Sequence, residues 1–222
     1  MIATAFSKYK DDENVIIFAS GVSNSKENKP DAFKREFDLL KKYVNIKAKI
    51  VYFSTTSIEG ESLMHSYYVK HKIHMESFIK ENFDNFLIFR LPIVIGKTNN
   101  VNTFFNAIKN KIKSKELIEI KKDASIHIID VEDLVNILPV LIVEEHNITI
   151  NICFNNRIKV TDIVSMMENI LKTKSNKKIV DGGSTFEALD DRFMRYVKKN
   201  SIGRKKTYNE SILKKYLNEQ LK

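Results

Sequence analysis

The feature that most constrains the fold of this chain is the alternation of short apolar runs with segments of helical periodicity. The apolar runs are VIIFAS (15–20), KIVYFS (49–54) and FLIFRLPIVIG (86–96). Between them lie two segments, at about 30–44 and 68–81, in which apolar residues recur at helical spacing. Continuous apolar strands separated by helices are typical of βαβ units. The sequence therefore predicts an α/β fold with a parallel sheet and helices on both faces, and ligands on such sheets bind at the carboxyl ends of the strands.

A cluster of hydroxyl side chains, residues 54–57, follows the second apolar run, and a Tyr-x-x-x-Lys pair opens the next helix. The pair is Tyr68 and Lys72. Positions i and i+4 share one face of a helix, so the Lys72 ammonium is expected near the Tyr68 phenol. A fixed cation favours the phenolate and lowers the phenol pKa from about 10 towards the range of a general acid or base. The alternative is an ordinary helix with one solvated lysine.

Four motifs in a fixed order make the chain resemble the extended and atypical branch of the short-chain dehydrogenase/reductase family. They are YFSTTSIEG (52–60), YYVKHKIHME (67–76), FRLPIVIG (89–96) and SIHIIDVEDLV (125–135). This branch contains nucleotide-sugar epimerases, dehydratases and reductases, and the resemblance covers roughly residues 14–170. It implies a Rossmann-like fold with a small C-terminal substrate lobe. We therefore expect a dinucleotide-binding domain over 1–150 and a substrate-binding lobe over most of 151–222.

The resemblance also implies roles for individual residues. Tyr68 is the expected acid/base, Lys72 its electrostatic partner and ribose anchor, and Thr55 the hydroxyl that binds the substrate oxygen. Thr56 is the next candidate for that hydroxyl and a further substrate contact. The implied cofactor is NAD or NADP, and its expected contacts are Ala19, Ser20, Gly21, Tyr68, Lys72 and Pro92. For Gly21 the alternative is that it merely supplies a turn.

The polar C-terminal part of the chain carries several basic residues. In the resembled enzymes this part grips the sugar nucleotide. Arg192 and Arg195, and with them Arg204 and Lys205, are therefore expected to face a diphosphate, because guanidinium groups pair well with phosphate oxygens. The alternative is a solvated basic face.

The glycine-rich turn that this family carries between its first strand and first helix is missing from the sequence. Such a turn lets backbone N–H groups approach the cofactor pyrophosphate. The chain has 6 glycines, none precedes Gly21, and the opening residues MIATAF look like the helix that follows such a turn. We therefore expect a shortened form or a degenerate homologue. This form should bind dinucleotide weakly and leave one edge of VIIFAS uncovered.

Composition narrows the class of protein and the compartment. A hydrophobic content of 43% with 29% charged residues indicates a soluble globular chain. No segment approaches the roughly 18–20 apolar residues of a membrane span. The single cysteine, Cys153, cannot form an internal disulfide and is interpreted as a buried small hydrophobe, which fits a cytoplasmic location. No metal-ligand spacing is found. The net charge of +9 is spread along the chain, which is typical of a solvated surface rather than of a nucleic-acid footprint.

The predicted function is that of an NAD(P)-dependent oxidoreductase or epimerase. Its predicted substrate is a nucleotide-linked sugar, and the predicted process is surface polysaccharide synthesis. No nucleic-acid or membrane partner is expected, and the sequence is compatible with a homodimer. One alternative is a non-catalytic dinucleotide-sensing or scaffold protein, which the missing glycines favour and the Thr55, Tyr68 and Lys72 set opposes. An RNA-binding derivative of the fold is a further alternative, and it depends only on the positive charge.

Overall fold

The computed structural model describes residues 1–200 and 207–218. The strands are β1 (Val15–Phe18), β2 (Lys49–Thr55), β3 (Phe86–Leu91), β4 (Ile93–Ile95), β5 (Leu117–Lys121), β6 (Ser125–Ile126), β7 (Ile128–Asp130), β8 (Ile148–Asn151), β9 (Ile158–Lys159) and β10 (Asn176–Val180). The α-helices are α1 (Ile2–Ala5), α2 (Pro30–Lys41), α3 (Tyr67–Asn82), α4 (Phe104–Ser114), α5 (Val131–Glu144), α6 (Val160–Leu171), α7 (Asp191–Lys199) and α8 (Tyr208–Asn218). Short 3₁₀ helices cover Ser7–Tyr9, Thr56–Glu59 and Glu61–Leu63.

The chain divides into two compact units. The first contains Met1–Leu91 and Val131–Ile152, and the second contains Pro92–Asp130 and the residues that follow from Cys153. This division differs from the single boundary expected near residue 150, because Pro92–Asp130 groups with the C-terminal residues rather than with the first sheet. The assignment of a dinucleotide to one part and a substrate to the other stays a prediction.

The first unit is built around a four-stranded sheet in the order β1-β2-β3-β8, and every neighbouring pair is parallel. The register joins Ile17 to Val51 and Val51 to Leu87. Strand β1 lies at one edge of this sheet. The α/β fold and the parallel pairing of the three apolar runs are therefore confirmed. The hydroxyl cluster begins at the carboxyl end of β2, since Ser54 and Thr55 are the last two residues of that strand.

Helices α2 and α3 pack on one face of this sheet. Alternate residues of the strands form a hydrophobic cluster there with residues of the two helices. The cluster consists of Phe18, Leu40, Ile50, Tyr52, Met75, Ile79, Phe83, Phe86 and Ile88. Strand residues of the opposite alternation point the other way, and Phe53 meets Phe6 there at a ring-centroid distance of 5.5 Å. Alternation along a strand thus buries both faces of the sheet.

Local signals explain where α2 and α3 begin. Pro30 occupies the first turn of α2, where a missing N–H costs nothing. Ser66 caps α3, since its Oγ accepts a hydrogen bond from the Val69 N–H at 3.2 Å. Helix α2 ends at Lys41, three residues before the predicted end, and α3 ends at Asn82, one residue beyond it.

In the residues that the structure describes, the second unit contains three two-stranded sheets. Strands β4 and β7 and strands β5 and β10 pair in parallel, whereas β6 and β9 are antiparallel. The expected strand over 86–96 is split at Pro92, which has no N–H to donate, and its second half becomes β4. Cys153 is fully buried, as predicted. Within the described ranges, no helix is long and apolar enough to cross a membrane.

Candidate functional site

The site begins at the carboxyl end of β2, where Thr55 is the last strand residue. Its Oγ1 accepts a hydrogen bond from the Ser57 N–H at 3.1 Å and so caps the 3₁₀ turn that follows. The Thr55 hydroxyl also interacts with the Tyr68 phenol. Thr56 is turned elsewhere, because its hydroxyl donates to the Leu91 carbonyl oxygen at 3.4 Å. The structure therefore brings Thr55, rather than Thr56, to Tyr68.

Tyr68 lies in the first turn of α3 and is half-buried, whereas its neighbour Tyr67 is 67% exposed. Burial raises the pKa of Tyr68 to about 12, and the negative charge of Glu36 acts in the same direction. The interaction with the Thr55 hydroxyl opposes this rise. The expected lowering of the Tyr68 pKa by a lysine is thus wrong for this structure. At neutral pH the group is a protonated phenol.

Lys72 explains why the lowering does not occur. Its Nζ lies 5.8 Å from the centre of the Tyr68 ring, so the i and i+4 spacing does bring the two residues together. The ammonium, however, donates to Glu36 Oε1 at 3.0 Å, to the Tyr52 hydroxyl at 2.8 Å and to the Phe53 carbonyl at 3.4 Å. An ammonium has three N–H donors, so these bonds use all of them. Lys72 is only 2% exposed, which also contradicts the alternative of a solvated lysine.

The partner of Lys72 is Glu36 on α2, a residue that sequence reasoning missed. Its side chain is fully buried and accepts four hydrogen bonds: Oε1 accepts from Lys72 and from the Tyr52 hydroxyl at 2.7 Å, and Oε2 accepts from the Val22 N–H at 2.6 Å and from His71 Nε2 at 3.0 Å. Burial by itself would raise the pKa of Glu36, but these partners, His71 and Lys72 foremost, lower it to about 2. Glu36 is therefore a carboxylate at neutral pH.

A sequence signal for Glu36 does exist. The buried stripe of α2 was predicted from apolar residues at Phe33, Phe37 and Leu40. Glu36 lies three residues after Phe33 and four before Leu40, so it shares their face of the helix. A charge on a buried stripe indicates a paired group, because an unpaired buried carboxylate is costly.

The loop after β1 is attached to the same carboxylate. Ala19 is half-buried, Ser20 is exposed, and Val22 donates its N–H to Glu36. A Cβ at Gly21 would lie 2.7 Å from Glu36 Oε1 and 2.9 Å from Lys72 Nζ. Glycine is therefore required here by the close approach of the loop to an ion pair. The loop and the Thr55–Tyr68 pair follow two adjacent parallel strands, at the same edge of the sheet.

A second group of charges holds the 3₁₀ turn beside Thr55. Arg90, in β3, forms a bidentate salt bridge with Glu76, in which Nε donates at 2.9 Å and Nη2 donates at 2.7 Å. Its other terminal nitrogen donates to Glu59 at 2.7 Å, and Asn151 donates to the same Glu59 oxygen at 3.1 Å. Bidentate arginine–carboxylate pairs fix the relative orientation of the two side chains. This group therefore fixes the turn that Thr55 caps against β3, β8 and α3.

The remaining predicted site residues belong to the second unit. Pro92 is half-buried between β3 and β4, and Arg192 and Arg195 are exposed on α7, which Asp190 caps. Arg204 and Lys205 lie outside the described residues. The proposed roles of Pro92, Arg192 and Arg195 in binding the cofactor or substrate stay predictions.

Comparison of the structure with solved structures identifies several that share its fold. A UDP-glucuronic acid 4-epimerase from Bacillus cereus, in complex with UDP-glucuronic acid and NAD, superposes with a TM-score of 0.70 at 18% identity, over 98% of this chain and 79% of that one. A dTDP-4-dehydrorhamnose reductase from Clostridium acetobutylicum superposes with a TM-score of 0.69 at 16% identity, over 100% of this chain and 86% of that one. The RMD protein of Pseudomonas aeruginosa, complexed with NADPH, superposes with a TM-score of 0.64 at 15% identity, over 90% of this chain and 80% of that one.

At these identities the likeness shows the fold. The Rossmann-like fold that the four motifs implied is therefore confirmed, and the structures that share it include a UDP-N-acetylglucosamine 4-epimerase, a dTDP-4-dehydrorhamnose reductase and a dTDP-glucose 4,6-dehydratase. Several of them were solved with NAD, NADP or NADPH. No protein-family model matches the sequence, and no curated protein sequence matches it.

Proposed function

We propose that this chain is an NAD(P)-dependent oxidoreductase or epimerase that acts on a nucleotide-linked sugar. The observation that carries the proposal is the placement of Thr55, the last residue of β2, beside Tyr68 in the first turn of α3, with Lys72 next to the Tyr68 ring. In a parallel α/β sheet the carboxyl ends of the strands form the edge where ligands bind. A role in surface polysaccharide synthesis in the cytoplasm, without a nucleic-acid or membrane partner, belongs to the same proposal. The shared fold with nucleotide-sugar enzymes supports it.

In this proposal Thr55 and Tyr68 act on one oxygen of the sugar. The Thr55 hydroxyl binds that oxygen, and the Tyr68 phenol gives it a proton or takes one from it. With its pKa at about 12, Tyr68 is a phenol at neutral pH, and a phenol suits donation of a proton to a carbonyl oxygen. Removal of a proton from an alcohol needs a lower phenol pKa.

The residues at this edge partly fit a nicotinamide dinucleotide. Ala19, Ser20 and Gly21 form a loop at the carboxyl end of β1, beside the end of β2, and their backbone would hold the cofactor. Lys72 has its three donors in use, so it can hold a ribose only after Glu36 releases it. When bound, the dinucleotide supplies a hydride acceptor or donor.

The buried Lys72 also favours a second function, that of a non-catalytic dinucleotide-sensing or scaffold protein. A lysine that is 2% exposed and paired with a buried carboxylate has a structural use independent of any reaction. The two functions are separated by a screen of nucleotide sugars with NAD and with NADP, read by mass spectrometry. Formation of a product supports the enzyme. Cofactor binding without any product supports the sensor or scaffold.

The test of the proposed mechanism is Tyr68→Phe, with Tyr67→Phe as the matched control. Phenylalanine keeps the ring and removes the hydroxyl group whose proton is moved in the chemical step. We expect kcat to fall by about 10²–10⁴-fold, the usual range for loss of an acid/base, with KM and cofactor affinity nearly unchanged. Tyr67→Phe should keep normal kcat because Tyr67 is exposed. Near-normal kcat in purified Tyr68→Phe would refute the assignment.

A further inference from the structure

Several charged or titratable groups lie around Lys72 and Glu36, and one of them decides where the Lys72 ammonium points. They are Glu36 on α2, Tyr52 on β2, and His71, Lys72 and Glu76 on α3. Glu76 is occupied by Arg90 through two short hydrogen bonds. Tyr52 is fully buried, and burial followed by the charge of Glu36 keeps its pKa well above the ordinary value, so it contributes no negative charge. Glu36 is therefore the anion that competes with Tyr68 for the Lys72 ammonium.

Glu36 is held rigidly enough to win that competition. Both of its oxygens accept two hydrogen bonds, from residues on β2, α3 and the loop after β1. Because a carboxylate only accepts, the facing His71 Nε2 carries a proton. The Gly21 backbone closes over the pair, since even a Cβ there would lie within 3 Å of both charged groups. The carboxylate has no room to turn away without moving the loop.

We infer that Glu36 is a positioning residue of the Thr55–Tyr68 site, whose carboxylate holds the Lys72 ammonium away from the Tyr68 hydroxyl. This inference rests on the proposed function, in which Tyr68 moves a proton. It adds a regulation of that site, because the loop at Ala19–Val22 is attached to the same carboxylate through the Val22 N–H. A ligand that moves this loop acts on Lys72 through Glu36. Neutralising Glu36 should free Lys72 to stabilise the Tyr68 phenolate.

The experiment is a pH titration of Tyr68 by NMR in protein carrying ¹³Cζ-labelled tyrosine. The Tyr68 signal is identified by its loss in Tyr68→Phe. In the unsubstituted protein we expect Tyr68 to stay a phenol well above the pH of about 10 at which free tyrosine titrates. In Glu36→Gln, which keeps the size of the side chain and removes its charge, the midpoint should fall by about one pH unit or more. The pH dependence of kcat should move in the same direction.

Glu168→Gln is the matched control. Glu168 is also a buried carboxylate, 4% exposed and paired with Lys177 at 2.7 Å, but it belongs to the second unit. Glu168→Gln should lower the stability of the protein by a similar amount and leave the Tyr68 signal unchanged. Glu36→Asp keeps the charge and should restore most of the unsubstituted behaviour. An unshifted Tyr68 midpoint in folded Glu36→Gln would overturn the inference.

Two features keep the test decisive. If Glu36→Gln does not fold, the titration of the unsubstituted protein still tests the inference. A Tyr68 midpoint at or below a pH of about 10 would refute the claim that Glu36 holds Lys72 away from Tyr68. The titration also needs no substrate. A chain without turnover but with the expected titration refutes the proposed function alone, whereas normal turnover with an unshifted titration refutes the role of Glu36 alone.

Discussion

Gly21 is the residue at which the loop after β1 touches the buried ion pair. Its position is set by space rather than by a left-handed backbone, because a Cβ would lie 2.7 Å from a Glu36 oxygen and 2.9 Å from the Lys72 nitrogen. Both atoms end long side chains, but each is fixed by several hydrogen bonds. A methyl group at this position therefore acts on the charges that surround Tyr68.

We predict that Gly21→Ala lowers the free energy of unfolding by about 1–3 kcal/mol, the usual cost of overpacking a well-packed site. The measurement is urea denaturation followed by circular dichroism. Ser20→Ala is the control, since Ser20 is exposed in the same loop and its change should be within about 0.5 kcal/mol. Equal stability of Gly21→Ala and the unsubstituted protein would mean that the loop does not rest on Glu36 and Lys72 as described.

At the scale of elements, the end of α5 is tied to the start of β2 by one buried lysine. Lys49, the first residue of β2, is 5% exposed, and its Nζ donates to the carbonyl oxygens of Ile142 at 2.6 Å and Glu145 at 3.0 Å. The last carbonyls of a helix have no partner within the helix and carry its negative dipole end. Burial lowers the pKa of Lys49, and the two carbonyls offset that penalty.

We predict that Lys49→Met destabilises the protein by about 2 kcal/mol, because the buried Ile142 carbonyl and the partly buried Glu145 carbonyl lose a charged donor while the side-chain packing is kept. Urea denaturation gives the change directly. Lys47→Met is the matched control, an exposed lysine two residues earlier, and should change stability little. Loss of the same stability in both variants would show that charge in this segment matters rather than the cap on α5.

At the scale of the whole molecule, the described part of each unit contains one buried glutamate with a strongly lowered pKa. Glu36 in the first unit and Glu168 in the second both have a pKa of about 2, against an ordinary value of 4.5. Burial would raise both values, but in Glu168 the hydrogen bonds from Lys177 and Ser175 prevail. A group whose pKa is lower in the folded state stabilises that state above the unfolded pKa, and this contribution disappears as pH falls through the folded pKa.

We predict that stability falls as pH is lowered from about 4.5 to about 2, with each glutamate contributing about 3 kcal/mol to the loss. Urea denaturation at a series of pH values measures it. Glu168→Gln should be less stable at neutral pH and should lose less on acidification, because one of the two groups no longer titrates. Parallel curves for the two proteins would contradict the role given to Glu168.

The sequence by itself determined the parallel α/β sheet and most of the Thr55–Tyr68 arrangement. Apolar runs of strand length between segments of helical period leave few other folds, because each element must bury its apolar side against the next. The hydroxyl cluster ends β2 and Tyr68 begins the following helix, so connection along the chain alone keeps them near one another. These features depend on local periodicity and short sequence separation, and both can be read from one chain.

Only the tertiary structure decided which group holds Lys72 and how the chain divides. The spacing from Tyr68 predicted proximity, and the ring-to-nitrogen distance of 5.8 Å agrees, but the partner came from α2, 36 positions away. Such a pairing depends on how three elements pack, which no local pattern encodes. The same holds for the division at Pro92, Val131 and Cys153, where the chain leaves the first unit and returns to it. Local patterns determine elements, whereas the charge on a buried group depends on everything packed around it.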